Sequence, residues 1–316
     1  MRGAQTKYLP RRGRGTSRRL VEGYSPRAIP LALTLLLASC GGGGEEEIAS
    51  TPAPAASPTP TPSPSSSPSP TPTTTTRWSP RLGDTWQWQL SGTVNTSYAV
   101  AVYDIDLFDT PTATIAGLHA AGRRVVCYLS AGSAEDFRSD YVRFAAADLG
   151  KPLDGWPGER WVDVRSANVR AIMTARLDLA ASKGCDGVEP DNVDGYTNSP
   201  GFAFTAADQL AYNRFLAEEA HRRGLAVALK NDLDQVAALA PDFDFAVNEQ
   251  CHEYDECGAY AAFTAAGKPV FNAEYADRYR TNAGGARDRL CAAAASERIA
   301  TLVLPLALDD SFRFGC

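Results

Sequence analysis

One stretch decides the fold and the chemistry of this chain: Cys185-Asp186-Gly187-Val188-Glu189-Pro190-Asp191-Asn192-Val193-Asp194-Gly195-Tyr196. A Gly-Val step, typical of a buried strand, runs directly into acids at positions 189, 191 and 194. A buried strand that ends in acids beside Pro and Gly is typical of the catalytic rim of an α/β enzyme. Two plainer interpretations are an acidic surface loop and a calcium site, but residues 191–195 lack the ligand spacing of a calcium-binding loop.

Short apolar runs recur on both sides of this stretch, and most are followed by a helical pattern. An alternating aromatic and polar segment, residues 86–90, precedes eight of them: residues 100–103, 125–129, 161–164, 187–188, 225–229, 243–247, 269–273 and 300–304. The clearest helical stretches are residues 112–121, 168–183, 205–223 and 285–295. Alternation of strand and helix with right-handed crossovers gives a parallel sheet. Eight repeats predict an α/β fold, a closed (β/α)8 TIM barrel, rather than an open sheet.

Local signals mark the ends of these helices and exclude one class of function. Asn168 and Thr205 are suitable N-caps, and Gly184 and Gly224 each follow a basic residue, as at many helix C-termini. Neither a G-x-G-x-x-G after the first strand nor a G-x-x-x-x-G-K-[ST] occurs in the sequence. Nucleotide binding therefore has no support.

Most of the apolar runs end in Asp, Glu, Lys or Asn, and this bias indicates an enzyme. In a TIM barrel the C-terminal strand ends build the active site. No Gly-x-Ser-x-Gly elbow exists, and no His lies at a strand end, which argues against a serine hydrolase and a metal hydrolase. Lys230 at a strand end is compatible with a Schiff base, but an ion pair with a neighbouring carboxylate is the favoured interpretation.

Carboxylates at the ends of nonadjacent strands favour glycoside hydrolysis. That reaction needs one carboxylic acid to protonate the leaving oxygen and one carboxylate to act as nucleophile or to activate water. Further acids and amides at the rim would bind sugar hydroxyls, and tyrosines such as Tyr128, Tyr196 and Tyr275 would stack on sugar faces. The separation of the two carboxylates decides between retention and inversion, and sequence does not give that distance.

The N-terminal 40 residues resemble a lipoprotein signal peptide. A basic segment, the apolar run 29–37 and the small residues before Cys40 follow the order of a secretory signal, and the last four positions resemble a lipobox with Cys40 as the lipidated residue. Residues 41–80 are rich in Gly, Pro, Ser and Thr and predict a disordered linker. Residues 81–316 form the predicted catalytic domain. The expected location is extracytoplasmic, as a bacterial lipoprotein or a secreted protein.

Charge and cysteine content agree with this location. Residues 1–40 carry a net +7 of the formal −6, so the rest of the chain carries −13, which disfavours nucleic acid and attracts a cationic substrate. Six cysteines remain after Cys40, and an even number in an exported chain predicts disulfides rather than zinc. We expect Cys251 with Cys257 and Cys291 with Cys316. Cys127 and Cys185 are left either bonded to each other or as buried thiols.

Several segments in chain order resemble glycoside hydrolase family 114, whose characterised members are endo-α-1,4-polygalactosaminidases. The segments are Gln89-Leu90-Ser91-Gly92, Tyr103-Asp104-Ile105-Asp106, Cys127-Tyr128-Leu129-Ser130-Ala131-Gly132, Asp154-Gly155-Trp156-Pro157-Gly158-Glu159, Trp161-Val162-Asp163, the stretch from Asp186 to Tyr196, Leu229-Lys230-Asn231 and Asn248-Glu249-Gln250-Cys251. The resemblance implies a TIM-type barrel that cuts α-1,4-linked galactosamine polymers without a cofactor. Unacetylated galactosamine is cationic near neutral pH, as the acidic domain would require.

The resemblance also implies roles for individual residues. It makes Asp191 the nucleophile or base and Glu274 the general acid, with Glu189 the main rival and Glu249 the next candidate. Residues expected to line the sugar site are Asp104, Asp106, Tyr128, Asp163, Asn192, Asp194, Tyr196, Lys230, Asn231, Asn248 and Tyr275.

Two other functions fit the same sequence. One is a surface-tethered carbohydrate-binding barrel without turnover, and the other is a hydrolase of a different amino-sugar polymer. In each case the expected partner is a cationic amino-sugar polysaccharide. We expect a monomer that binds no metal or nucleic acid and reaches a membrane only through its N-terminal lipid.

Overall fold

The computed structural model describes residues 77–316, which contain twelve strands and eight α-helices. The strands are β1 Trp86–Gln89, β2 Val102–Asp106, β3 Arg124–Ser130, β4 Ser133–Glu135, β5 Leu149–Pro152, β6 Glu159–Val162, β7 Gly187–Asp191, β8 Ala226–Lys230, β9 Phe245–Glu249, β10 Val270–Glu274, β11 Ala300–Val303 and β12 Phe314–Gly315. The helices are α1 Thr112–Ala120, α2 Ala167–Lys183, α3 Ala206–Arg222, α4 Val236–Leu239, α5 Cys251–Tyr254, α6 Ala261–Ala265, α7 Asp277–Arg280 and α8 Ala286–Glu297.

Eight parallel strands build the barrel in the order β1-β2-β3-β7-β8-β9-β10-β11, and β12 extends β11 antiparallel. No strand pairing joins β11 to β1 among the described residues, and side-chain contacts close the barrel between them. Trp86 Nε1 donates to the carbonyl oxygen of Ala300 at 2.9 Å, and Arg313 donates to the carbonyl oxygen of Trp86 at 2.8 Å. The predicted α/β TIM barrel is confirmed. All eight C-terminal strand ends therefore lie at one end of the molecule.

One predicted barrel strand is wrong, and one barrel strand lies outside the eight predicted runs. Residues 161–164 do not join the barrel, because Trp161 and Val162 belong to β6 of a separate antiparallel sheet in the order β4-β6-β5, called the inserted sheet below. The first barrel strand is instead β1, in which Trp86 and Trp88 alternate with Gln87 and Gln89. An apolar run of four residues has the same pattern in either sheet, so the pattern does not say which sheet it joins.

The helices follow the predictions closely, with one correction. Thr205 caps α3, and its side chain and that of Asp208 complete a reciprocal capping box. The cap of α2 is Ser166 rather than Asn168, because Ser166 Oγ accepts from the amides of Asn168 and Val169. Gly184 ends α2 in the left-handed conformation, with φ of 86°.

Two apolar cores follow from the alternation of side chains along each strand. Side chains on the outer faces of the strands, such as Val188, Val227 and Leu229, pack against the helices outside the barrel. The barrel interior is filled by the opposite set: Trp86, Trp88, Val102, Val126, Ala226, Ala228, Phe245, Val247, Phe271, Ala273, Leu302 and Leu304. On each strand, the interior side chain that follows the last of these apolar residues points into the C-terminal mouth of the barrel.

Three disulfides join the six cysteines of the described domain. Cys127 bonds Cys185, Cys251 bonds Cys257, and Cys291 bonds Cys316, which confirms the two expected pairs and resolves the third. Cys251, His252 and Cys257 lie close enough together to hold a metal ion, but the bond between the two sulfurs leaves neither thiolate as a ligand.

The folded domain reaches at least to residue 77. Arg77 pairs with Asp244 at 3.0 Å, and the Trp78 ring lies 6.1 Å from that of Phe245, so residues 77–80 of the predicted linker contact the barrel. The rest of that linker, the signal peptide and Cys40 lie outside the described residues. Within residues 77–316, no helix combines the length and the apolar character needed to cross a bilayer.

Candidate active site

The interior faces of three neighbouring strands deliver charged side chains to the mouth of the barrel. β7 contributes Glu189 and Asp191, β8 contributes Lys230, and β9 contributes Glu249. The same faces carry Ala228 and Val247 one step deeper in the barrel core. In the parallel register Lys230 lies opposite Val247, so Glu249 is the next interior side chain toward the mouth, and these side chains together form a charged layer above the apolar core.

Lys230 lies at the centre of this layer and contacts three carboxylates. Its Nζ is 2.9 Å from Glu189, 3.3 Å from Asp191 and 3.5 Å from Glu249. It also lies 4.6 Å from the centre of the Trp88 ring. Burial alone would lower the pKa of Lys230, but the three carboxylates outweigh burial and raise it well above its ordinary value. The ammonium therefore stays charged, which favours the ion-pair interpretation over a Schiff base.

Asp191 is half-buried, and three donors converge on its carboxylate. The Asn192 amide donates to Oδ1 at 2.7 Å, and Lys230 contacts the same oxygen; Tyr128 donates to Oδ2 at 3.1 Å. Burial and then Asp191 itself raise the pKa of Tyr128, so the phenol stays protonated as a donor. The amides of Ala131 and Gly132 bond the Asp191 carbonyl oxygen and fix the backbone. This arrangement stabilises a negative charge in a defined orientation.

Glu249 is the second half-buried carboxylate of the group. Tyr275 donates to Oε1 at 2.5 Å, and Lys230 contacts Oε2. Burial and then Glu249 raise the pKa of Tyr275. Asn231 holds the strand end, because its Oδ1 accepts from the Glu249 amide at 3.1 Å and from Asn248 Nδ2 at 3.2 Å. Asn231 adopts the left-handed conformation, with φ of 48°.

Asp191 and Glu249 are close enough to act on one bond. Asp191 Oδ1 and Glu249 Oε2 contact the same nitrogen atom at 3.3 and 3.5 Å, so the two oxygens are at most about 6.8 Å apart. Retaining glycosidases hold their carboxyl groups about 5–5.5 Å apart and inverting ones roughly 6.5–9.5 Å. The limit applies to these two oxygens, and the retaining separation falls within it.

Glu189 lies deeper and has no exposed surface. Burial raises its pKa to about 7, against the opposing effect of Lys230. Burial and then Glu189 raise the pKa of Asp104, which is 1% exposed on the interior face of β2. Both acids lie beneath Lys230 and are closed off from solvent.

Comparisons with known proteins agree with this geometry. A model of glycoside-hydrolase family GH114 matches residues 67–316. The chain belongs to glycoside-hydrolase family GH114. It is a glycoside hydrolase with a TIM-barrel fold.

Solved structures and one curated relative extend this result. The crystal structure of Aspergillus fumigatus Ega3 in complex with galactosamine is 45% identical, with a TM-score of 0.71, and the match covers 77% of this chain and 99% of that one. The glycoside hydrolase domain of Pseudomonas aeruginosa PelA is 18% identical, with a TM-score of 0.56 over 73% of this chain and 96% of that one, and shows the fold alone. An uncharacterized protein of Deinococcus radiodurans is 28% identical over 224 residues, which are 64% of this chain and 72% of the relative.

The structure does not bring Glu274 into this GH114 site. On β10, Ala273 belongs to the interior core, so Glu274 lies on the opposite face of the strand and has no exposed surface. Its Oε1 accepts from the His252 amide at 2.9 Å and from Asn272 Nδ2 at 3.2 Å. Burial raises the pKa of Glu274 to about 7. The next residue, Tyr275, is the β10 side chain that reaches the site.

Two more predicted site residues, Asp106 and Asp163, have both carboxylate oxygens paired with an arginine. Arg138 takes both oxygens of Asp106, at 3.0 and 2.5 Å. Arg165 takes both oxygens of Asp163, at 2.8 and 2.9 Å, beyond the end of β6. Neither carboxylate contacts the Lys230 group.

The remaining predicted residues flank the site. Asn192 follows Asp191 with φ of 61°, and its Nδ2 donates to Ser130. Asn248 Nδ2 also donates to Tyr260 at 2.7 Å. Asp194 is buried at the start of a short 3-10 helix, Gly195–Thr197, which carries the half-buried Tyr196.

Trp88 and Glu159 were not predicted as site residues. The period-two pattern Trp86-Gln87-Trp88-Gln89 was the available signal for Trp88, because it marks a strand with both rings on one face. Glu159 belongs to β6 of the inserted sheet, and sequence gave no signal for its nearness to Asp191. Burial, then Glu135, raise its pKa to about 7.

Proposed function

We propose that this protein is an endo-acting hydrolase of α-1,4-linked galactosamine polymers, with Asp191 as nucleophile and Glu249 as general acid and base. The observation that carries the proposal is the group of Asp191, Glu249 and Lys230 at the mouth of the barrel. The galactosamine complex of Ega3, a protein 45% identical to this one, supports an amino-sugar substrate. The net negative charge outside residues 1–40 favours a cationic polymer.

Asp191 is the better nucleophile of the two half-buried acids. Its carboxylate receives the Asn192 amide, the Tyr128 hydroxyl and the Lys230 ammonium, which hold it in one orientation toward a bound sugar. Glu249 receives one hydroxyl and the more distant contact of Lys230, and as the other half-buried acid it takes the role of general acid and base. Glu189 and Glu274 are fully buried, which removes both from this role.

The arrangement supports a two-step retaining reaction. Asp191 attacks the anomeric carbon while Glu249 protonates the glycosidic oxygen, and the aglycone half of the polymer leaves. Once Asp191 is esterified, Lys230 remains in contact with Glu249, which has given up its proton to the leaving oxygen. Ionised Glu249 then takes a proton from the water that hydrolyses the glycosyl ester, and the starting state is restored.

The layout of the chain completes the proposal. Residues 1–40 direct export, Cys40 carries the lipid, and residues 41–76 space the hydrolase domain from a membrane surface. Three disulfides in the described domain support an extracytoplasmic location. A monomer is sufficient, since every residue of the candidate pair comes from one barrel.

The test is hydrolysis of de-N-acetylated α-1,4-galactosamine polymer, followed by mass spectrometry of the products. We expect galactosamine oligomers from wild type and from Glu274→Gln, and none from Asp191→Asn or Glu249→Gln. Proton NMR of the first products should show the α-anomer, as retention requires.

Other results would identify the competing functions. Polymer retained on the protein without products would favour a binding barrel. Cleavage of a deacetylated glucosamine polymer in preference to the galactosamine polymer would favour a different substrate. Full activity of Asp191→Asn would remove Asp191 from the chemistry.

A further inference from the structure

A continuous chain of hydrogen bonds runs from Glu159 in the inserted sheet to Asn192, the residue after Asp191. Glu159 Oε2 lies 2.7 Å from Ser133 Oγ, which lies 2.6 Å from Ser130 Oγ. Ser130 Oγ accepts from Asn192 Nδ2 at 2.9 Å, and a second contact of that nitrogen reaches Ser133 Oγ at 3.4 Å. Asn192 in turn donates its amide to Asp191. Glu159, Ser133 and Ser130 are all buried.

The charge of Glu159 fixes the direction of every bond in this chain. An ionised carboxylate only accepts, so Ser133 must donate to Glu159. Ser133 Oγ then accepts the Ser130 hydroxyl proton, and Ser130 Oγ accepts from the Asn192 amide nitrogen. Both serines are thereby left without a hydroxyl proton for Asn192, and its side chain is held with the nitrogen inward.

The other end of the Asn192 amide is open. Among residues 77–316 no group donates to Asn192 Oδ1, and this oxygen is not buried, on a half-buried residue beside Asp191. The backbone is held firmly as well, because a Cβ at Gly132 would lie 1.7 Å from the Asn192 carbonyl oxygen. A sugar bound over Asp191 therefore meets a hydrogen-bond acceptor at a fixed position.

We propose that Glu159 is a positioning residue that makes the site select a free amino group over an acetamido group, because it holds the Asn192 carbonyl toward the bound sugar. An ammonium group donates to this oxygen through a charged N–H, whereas an acetamido group offers a single neutral N–H and carries a bulky acetyl group. Because a charge-assisted hydrogen bond is roughly twice as strong as a neutral one, a fixed acceptor at this position favours the free amine. The inference rests on the proposed function and specifies how that site recognises its substrate class.

Protonation of Glu159 would weaken the selection. A neutral carboxyl group can donate to Ser133, which reverses the serine chain, so Ser130 then donates toward Asn192 and the amide turns its nitrogen outward. The charged groups around Glu159 are Glu135, Asp191 and Arg138, with Tyr128 close by. Because burial raises the pKa of Glu159 to about 7, the ionised form dominates above that pH.

The first test measures kcat/KM for de-N-acetylated and fully acetylated α-1,4-galactosamine polymers from pH 5.5 to 8.5. We expect Glu159→Gln to reduce the preference for the free amine about tenfold at pH 8, which is the value of one hydrogen bond to a charged group. The preference of wild type for the free amine should fall as the pH drops below 7. The preference of Glu159→Gln should change less with pH over the same range. Ser133→Ala should have the same effect, and adding it to Glu159→Gln should change nothing more.

A matched control is Glu219→Gln, a buried glutamate on α3 that pairs with Arg223 and is remote from the barrel mouth. It should keep the wild-type preference at every pH. If Glu159→Gln lowers thermal stability but leaves the preference and its pH dependence unchanged, Glu159 is structural and the inference is overturned, while hydrolysis by wild type still supports the proposed function.

The second test measures binding without turnover. Calorimetry of free-amine and acetylated oligomers uses Asp191→Asn, with and without Glu159→Gln. A preference that Glu159→Gln removes supports the inference even if wild type hydrolyses neither polymer, in which case only the proposed reaction fails. Equal preference in both proteins overturns the inference. Absence of binding to either oligomer overturns the inference and the proposed substrate together.

Discussion

Two buried cations in this domain are each surrounded by carboxylates, yet they do different things. Lys230 contacts Glu189, Asp191 and Glu249 through one oxygen of each. Arg138 binds Asp106 and Glu135 through both oxygens of each and reaches Asp109 with a further bond. The first group lies at the barrel mouth, and the second joins the end of β2 to the inserted sheet.

The difference comes from the shape of the cation. A guanidinium is a planar fork that satisfies both oxygens of a carboxylate, so Asp106 and Glu135 have little capacity left for a substrate. An ammonium is a point charge that leaves the second oxygen of each acid for Tyr128, for Tyr275 or for a sugar. Clusters of similar composition therefore produce a rigid support in one place and a reactive site in the other.

Neutralising one acid in each cluster should give the largest contrast. We expect Asp191→Asn to lower kcat by roughly 10⁴-fold, as loss of a nucleophile does, with little change in stability. Asp106→Asn should keep kcat within about threefold but lower the free energy of unfolding by about 3 kcal/mol, because it leaves Arg138 poorly paired. Steady-state kinetics and urea unfolding check both. A 10²-fold loss of kcat in folded Asp106→Asn would place Asp106 in the reaction.

Exchanging the two cations should give the next largest effect. Lys230→Arg keeps the charge but occupies a second oxygen of Asp191 or Glu249, so we expect kcat to fall about 10²-fold. Arg138→Lys should lower stability by about 2 kcal/mol and leave kcat nearly unchanged. The measurements are kcat and the unfolding midpoint of each variant. Wild-type kcat in Lys230→Arg would show that charge alone, rather than the shape of the cation, serves the site.

Glu274 provides a pH-dependent comparison with Glu249. Its pKa is raised to about 7 in the folded protein by burial and is near the ordinary value in the unfolded chain, so the folded form binds the extra proton between these values. Stability from this group is therefore lost as pH rises toward 7 and stays lost above it. We expect Glu274→Gln to raise the melting temperature relative to wild type by a few degrees at pH 8 and to change little at pH 4.5.

Scanning calorimetry at the two pH values checks this prediction, and kcat of the same protein provides its control. A melting temperature lower than wild type at both pH values would mean that the bonds from His252 and Asn272 need a carboxylate. A large loss of kcat would return Glu274 to the candidates for general acid.

The smallest effect is expected at the pair of Asp163 and Arg165, in which the arginine side chain is 44% exposed. Exposed ion pairs contribute about 0–1 kcal/mol, so Asp163→Asn should change the free energy of unfolding by less than about 1 kcal/mol and leave kcat/KM unaltered. A tenfold rise in KM for the polymer would instead place Asp163 in the sugar groove.

Prediction from sequence succeeded where a local pattern has one structural meaning. Repeated apolar runs followed by helices predicted the barrel, and Gly184 and Thr205 correctly marked helix ends. It failed where two structures share one pattern. Residues 161–164 fit a barrel strand as well as a strand of the inserted sheet. In Trp86-Gln87-Trp88-Gln89 every second residue is polar, so the segment lacks the apolar run that marks the other barrel strands.

The sequence by itself determined the class of fold, the family motifs, the cysteine pairs expected at Cys251–Cys257 and Cys291–Cys316, and the acidic stretch that contains Asp191. Tertiary structure alone decided which acids share one space. Glu249 and Glu274 end neighbouring strands, but Glu274 lies one position beyond the residue opposite Glu249. Because side chains alternate along a strand, that one position places Glu274 on the outer face of the barrel. Only folding also brings Glu159 and Arg138 beside distant strands, because contacts between separate segments leave no local pattern in the chain.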